Sequence, residues 1–103
     1  MTSTLKHLHE KAVTLASRYR SLEKELLEVL IEVESQKGYL PLGFDSLFTY
    51  GVEYLKLTRD QSYGFMAIAR KSKEVPELKT AIDNHELTFS NARKLVSVIT
   101  PEN

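Results

Sequence analysis

The first 37 residues of this chain contain neither glycine nor proline, and apolar side chains recur through them in alternating steps of three and four. Leu5, Leu8, Ala12, Leu15, Tyr19, Leu22, Leu26, Val29 and Val33 fill every position of that repeat, a seam sustained over four heptads. Such a repeat lines one side of a helix and lets two helices pair along it. The rest of the segment is rich in Leu, Glu, Lys and Arg, which lose little on entering a helix. The spacing predicts one long helix within residues 1–37, capped at its start by Thr4 and ended before Gly38. Leu5, Leu8, Ala12, Leu15, Tyr19 and Leu22 are its expected self-association surface.

The stripe widens along the helix. Lys6, Glu10, Lys11 and Arg18 crowd the narrow first half, whereas Leu27, Leu30 and Ile31 join the seam from Leu26 onward. A helix of ~33 residues is about 50 Å long. The remaining residues fill a body only ~25–30 Å across. The first half is therefore expected to project, with a second copy as its simplest cover. The alternative is two helices broken near Ser17–Ser21 and folded back onto one core.

All the glycines and prolines lie in residues 38–103, where the elements become short. Asp45 or Ser46 caps a helix reaching about Leu57. Thr58 with Gln61 three residues on forms a capping box for another, ending near Lys73. Pro76 suits the first turn of a helix running to about Asn84. Thr88 or Ser90 begins a fifth, with Ala92, Leu95, Val96 and Ile99 inward, and Thr100–Asn103 resembles the start of a sixth. No stretch alternates with period two. The expected fold is all-α: a long N-terminal helix, then a compact bundle of about four short helices, as one domain. Phe65, Met66 and Ile68 are expected in the core, with Tyr39, Phe44, Phe48, Tyr50 and Tyr54.

Fourteen Lys and Arg balance fourteen Asp and Glu, which excludes a uniformly basic coat but permits a basic face. The absence of cysteine removes disulfides, thiolate zinc sites and thiol catalysis. No apolar run is long enough to span a bilayer, and the N-terminus has no apolar signal region. A cytoplasmic protein without membrane contact is expected. His7 and His9 lie two apart on a helix and point in different directions, and His85 falls in a turn. No nucleophile motif, phosphate loop or metal-ligand spacing occurs, so no catalysis, metal, cofactor or small-molecule substrate is expected.

The pair of helices within residues 46–73 has the outline of a helix-turn-helix. Lys56, Arg59, Arg70, Lys71 and Lys73 face a single acid, Asp60, in residues 56–73. Arg59, Gln61 and Ser62 would stand in the first turn of a recognition helix, where base edges are read. Arg70, Lys71 and Lys73 suit phosphates, and Arg93 and Lys94 extend the patch. Duplex DNA is the expected partner. The alternative is a protein-interaction module acting through the 5–33 stripe with no nucleic-acid role.

From about Leu22 onward the chain resembles the α-helical N-terminal domain that precedes the nuclease in a bacterial group of HNH-endonuclease proteins. The likeness runs through Leu26-Leu27, Glu32-Val33-Glu34, Tyr39 and Gly43-Phe44, then Ser46-Leu47-Phe48-Thr49-Tyr50 and Leu55-Lys56-Leu57-Thr58. It continues in Ser62-Tyr63, Ala67-Ile68-Ala69-Arg70, Val75-Pro76-Glu77, Glu86-Leu87-Thr88 and Thr100-Pro101-Glu102-Asn103. Residues 57–95 are more weakly similar to the helix-turn-helix region of ParB-type partition proteins. The resemblance implies a DNA-associating or assembly domain, with metal-dependent cleavage belonging to a C-terminal HNH module. This chain has no His-Asn-His array, so it is expected to be the N-terminal part of such a protein or a stand-alone regulator. Gly64 and Phe65 stand where that family usually has basic residues.

Overall fold

The computed structural model describes residues 2–84 and 86–98, and every regular element among them is helical. Helix α1 (Ser3–Gln36) runs unbroken past Ser17–Ser21, so the two-helix alternative is not the fold adopted. Its cap is Thr2 rather than Thr4: Thr2 is extended and its hydroxyl accepts from the Leu5 amide at 3.2 Å. Thr4 is already inside the helix, where its side chain has no free amide three residues ahead. At the other end Lys37 turns left-handed (φ 51°) and the Gly38 amide closes back on the Val33 carbonyl. Helix termination is thus done by the residue before the glycine.

The body is assembled on the last third of α1. Leu27, Leu30 and Ile31 are buried against Leu47 of α2 (Leu47–Thr49) and against Phe65, Ile68 and Ala69 of α3 (Arg59–Glu74). Leu78 and Ile82 of α4 (Pro76–Asp83) and Phe89 and Ala92 of α5 (Phe89–Leu95) complete the core. Helix α3 lies at the centre and packs on every other helix. Every residue of Thr2–Leu22 is exposed, so the first half of α1 projects. The chain extends 51 × 35 × 19 Å, and its radius of gyration is 16.2 Å. A compact domain of this length would have about 13 Å.

Three caps fall where the sequence places them: Ser46 on the Thr49 amide, Thr58 and Gln61 in a reciprocal box, and Thr88 on the Asn91 amide. The second helix departs from expectation. It makes one α turn and then widens into a π turn (Tyr50–Tyr54), with the Leu55 amide reaching the Tyr50 carbonyl five residues back. Lys56 then turns left-handed (φ 63°), so the helix stops short of Leu57. Within the wide turn Gly51 is buried directly against Ser62 of α3. Tyr54 is more than half exposed rather than in the core, and stacks on Tyr50 at 5.4 Å beside Phe44. Met66, Leu87 and Val96 pack at the margin. His85, Ile99 and Thr100–Asn103 lie outside the described residues.

Candidate nucleic-acid interface

The capping box fixes how α3 begins. Thr58 accepts from the Gln61 amide and the Gln61 side chain accepts from the Thr58 amide, both at 3.1 Å. Gln61 is therefore committed to the box rather than pointing outward. Ser62, one residue on, is buried, and its hydroxyl donates to the Phe48 carbonyl at 2.8 Å. It joins α2 to α3 and is not presented at the surface. Gly64 is buried where a Cβ would meet the Phe89 ring at 3.0 Å and the Arg93 guanidinium at 3.3 Å. The missing side chain lets α5 approach α3, and the Phe65 and Phe89 rings meet at 4.6 Å. At the two positions where basic residues were noted as missing, this chain has core packing.

What remains outward on α3 is Arg59, Tyr63, Arg70 and Lys73, all exposed. Spacings of four, seven and three set them along one side of the helix. Their acidic neighbours on α3 are engaged elsewhere. Asp60 is gripped by both terminal nitrogens of Arg93, at 2.7 and 3.0 Å, and Glu74 faces Lys71 at 3.5 Å. Arg93 and Lys71 are thereby neutralised rather than free for phosphate. Arg70 is held by one nitrogen, Nε to the Glu34 carboxylate at 3.2 Å, and its side chain is 57% exposed. Lys56, Arg59, Lys73 and Lys94 have no ion-pair partner among the described residues.

Glu34 is the group that sequence reasoning overlooked. It is buried (4% exposed) beneath Arg70 and beside Tyr39. Burial raises the Tyr39 phenol above its usual value, and the adjoining Glu34 charge raises it further. Its spacing did carry a signal, since position 34 follows Leu27 by seven and Ile31 by three, on the side that packs the body. The Asp60–Arg93 pair joins residues 33 apart and has no signature in the local sequence.

The Arg93 hydrogen bonds, reinforced by its charge, hold Asp60 below its ordinary 3.8, and Asp60 in turn raises Arg93. A carboxylate with a lowered folded-state pKa contributes stability above that ordinary value and loses it as pH falls through the lowered one. The α3–α5 staple is therefore expected to be intact at pH 5, to weaken as pH falls below the ordinary 3.8, and to be lost only as the pH passes the lowered value. Thermal unfolding of wild type and Asp60→Asn as a function of pH checks this. The two curves converge in acid, with the wild type the more stable above it; a constant gap would mean that the pair contributes nothing.

On the projecting half of α1, Leu5, Leu8, Leu15, Tyr19 and Leu22 are between 44% and 64% exposed, and Ala12 is exposed as well. Val29 is 58% exposed, while Leu26 and Val33 also touch the body. The seam is thus rotated away from the Leu27–Leu30–Ile31 side that packs the core. A groove of about 260 Å³ adjoins it, lined by Tyr19, Leu22, Leu26, Leu57, Gln61 and Phe65. No group of three His, Asp or Glu able to hold a metal occurs among the described residues, and no helix is long and apolar enough to cross a membrane. No family model, curated protein or solved structure matches this chain.

Proposed function

We propose that this chain is a non-catalytic helical module that holds duplex DNA through the outer face of α3, in the cytoplasm. The observation that carries the reading is the exposed row of Arg59, Tyr63, Arg70 and Lys73, with the nearby acids Asp60 and Glu74 already bound to Arg93 and Lys71. Cations without intramolecular partners, here Arg59 and Lys73 among the described residues, are what phosphates recruit, and Arg70 keeps its exposed side chain beside them. The resemblance to the N-terminal domains of HNH endonucleases points to the same partner. A face of this size is a weak binder alone, so its contacts are to backbone more than to base edges. Ser62 and Gln61, the residues that would have read bases, are turned to structural work.

Salt dependence tests it. Binding of a fluorescent ~30-base-pair duplex is expected at low salt, weakening with a negative slope. Arg59→Ala/Lys73→Ala should reduce that slope by about two, since each phosphate contact contributes roughly 0.9. Both side chains are exposed and have no ion-pair partner among the described residues, so the fold is retained. Arg70 is left intact because its removal would strand the buried Glu34 charge and confuse binding with stability. No binding at 50 mM salt, or an unchanged slope in the double variant, overturns the proposal.

A second reading, self-association along α1, is favoured by a separate observation: the uncharged seam on the projecting half is exposed along its whole length. The two readings are compatible, because pairing would join two weak basic faces on one duplex.

A further inference from the structure

We infer that two copies of α1 pair antiparallel, in the register that sets Leu15 against the partner's Leu26 and Tyr19 against the partner's Leu22. The inference rests on the self-association reading and adds its direction and alignment. The charges beside the seam carry it. In the heptad that places Leu5 and Leu8 at the two seam positions, one flank reads Lys11, Arg18, Glu25 and Glu32. All four are exposed, and Lys11, Arg18 and Glu25 have no ion-pair partner among the described residues. The flank is basic in its first half and acidic in its second. Head-to-tail pairing in the stated register brings Lys11 to the partner's Glu32 and Arg18 to the partner's Glu25, and by symmetry the same two contacts again.

The competing arrangements are poorer. Sliding by one heptad sets Arg18 against the partner's Arg18 in one direction and Glu25 against the partner's Glu25 in the other, two like charges at the centre of the interface either way. In a parallel pair the same flank would face Ala16, Glu23 and Leu30, leaving only Arg18 an opposite charge. Volume agrees with charge. A parallel pair stacks Ala12 on Ala12 and Tyr19 on Tyr19, a hole beside a bulge. The antiparallel register instead sets Ala12 against the partner's Val29 and Tyr19 against the partner's Leu22. Each projecting half then runs along the body-bearing half of the other α1. The partner's Leu15, facing Leu26, lies at the mouth of the groove that Leu57 and Phe65 help to line.

The natural absence of cysteine makes the direction measurable. In the antiparallel register position 12 sits about 25 Å from position 12 of the partner, 17 residues along the helix. Full-length Ala12→Cys should therefore form no disulfide dimer in a glutathione redox buffer, whereas Ala12→Cys mixed with Val29→Cys should cross-link up to half of the chains. Arg18→Glu should weaken the dimer about tenfold and Arg18→Glu/Glu25→Arg restore it. Rapid cross-linking of Ala12→Cys alone would show a parallel pair. A dimer in sedimentation with neither cross-link would show a different register. Either result overturns the inference while leaving self-association standing; a wild type that sediments as a monomer removes both.

Discussion

Gly51→Ala is expected to destabilise the protein by about 3 kcal/mol, the sum of an overpacked contact and a lost buried hydrogen bond. A Cβ at position 51 would lie 2.1 Å from Ser62 Oγ and 3.1 Å from its Cβ. The hydroxyl is not free to swing away, because it donates to the Phe48 carbonyl at 2.8 Å, and both atoms sit between two helices. Turning it aside leaves a buried donor and acceptor unsatisfied; leaving it in place forces α2 off α3. Set against a total of 5–15 kcal/mol for a small domain, this is a severe loss. The melting temperature should fall by about 12–24 °C. Gly51→Ala/Ser62→Ala should recover part of it: the 2.1 Å clash disappears, while the Cβ contact and the lost bond to Phe48 remain. A Gly51→Ala variant melting within about 2 °C of wild type would mean that the π turn does not press on α3.

Leu15→Asp is expected to convert a dimer into a folded monomer, with at least a hundredfold rise in the dissociation constant. Leu15 is 49% exposed in the single chain, so aspartate there meets water and leaves the body undisturbed. In the proposed pair it would be enclosed by the partner's seam, and an unpaired buried carboxylate costs several kcal/mol. Val13→Asp is the control on the same helix. Val13 is 69% exposed but lies outside the seam, and its substitution should leave the sedimenting mass unchanged. Equal behaviour of the two variants would show that exposure alone, and not the heptad seam, governs association.

The parts of the fold that were legible in the sequence are those decided by neighbours a few residues away. The period of the apolar residues announced α1 and its seam, the Thr58–Gln61 spacing announced the start of α3, and Pro76 announced the start of α4. The π turn at Tyr50–Tyr54 was not legible, because it is settled by the fit of Gly51 against Ser62 rather than by local preference. The candidate interface was half legible. Composition located the cations but not their partners, and it is the partners that divide Arg93 and Lys71, held by Asp60 and Glu74, from Arg59 and Lys73, which are free of ion pairs. Ser62 illustrates the difficulty: a hydroxyl in the first turn of a helix suits a base edge and a backbone carbonyl equally well. Only the distance to Phe48 decides.

The projecting half of α1 has a kinetic consequence. Between Ser3 and Leu22 every residue is exposed, and that stretch is held in helical form mainly by its own hydrogen bonds and propensities. Most helical stability in proteins comes from packing an apolar face, which this stretch scarcely has in the single chain. A single chain's arm is therefore expected to fray from its free end on the microsecond scale of helix–coil exchange. In the proposed dimer a second copy would complete the helix, and part of the contact energy would go into ordering it. Association of this kind would be readily reversible, its extent rising with concentration at an unchanged dissociation constant, because part of each contact is offset by ordering the arm.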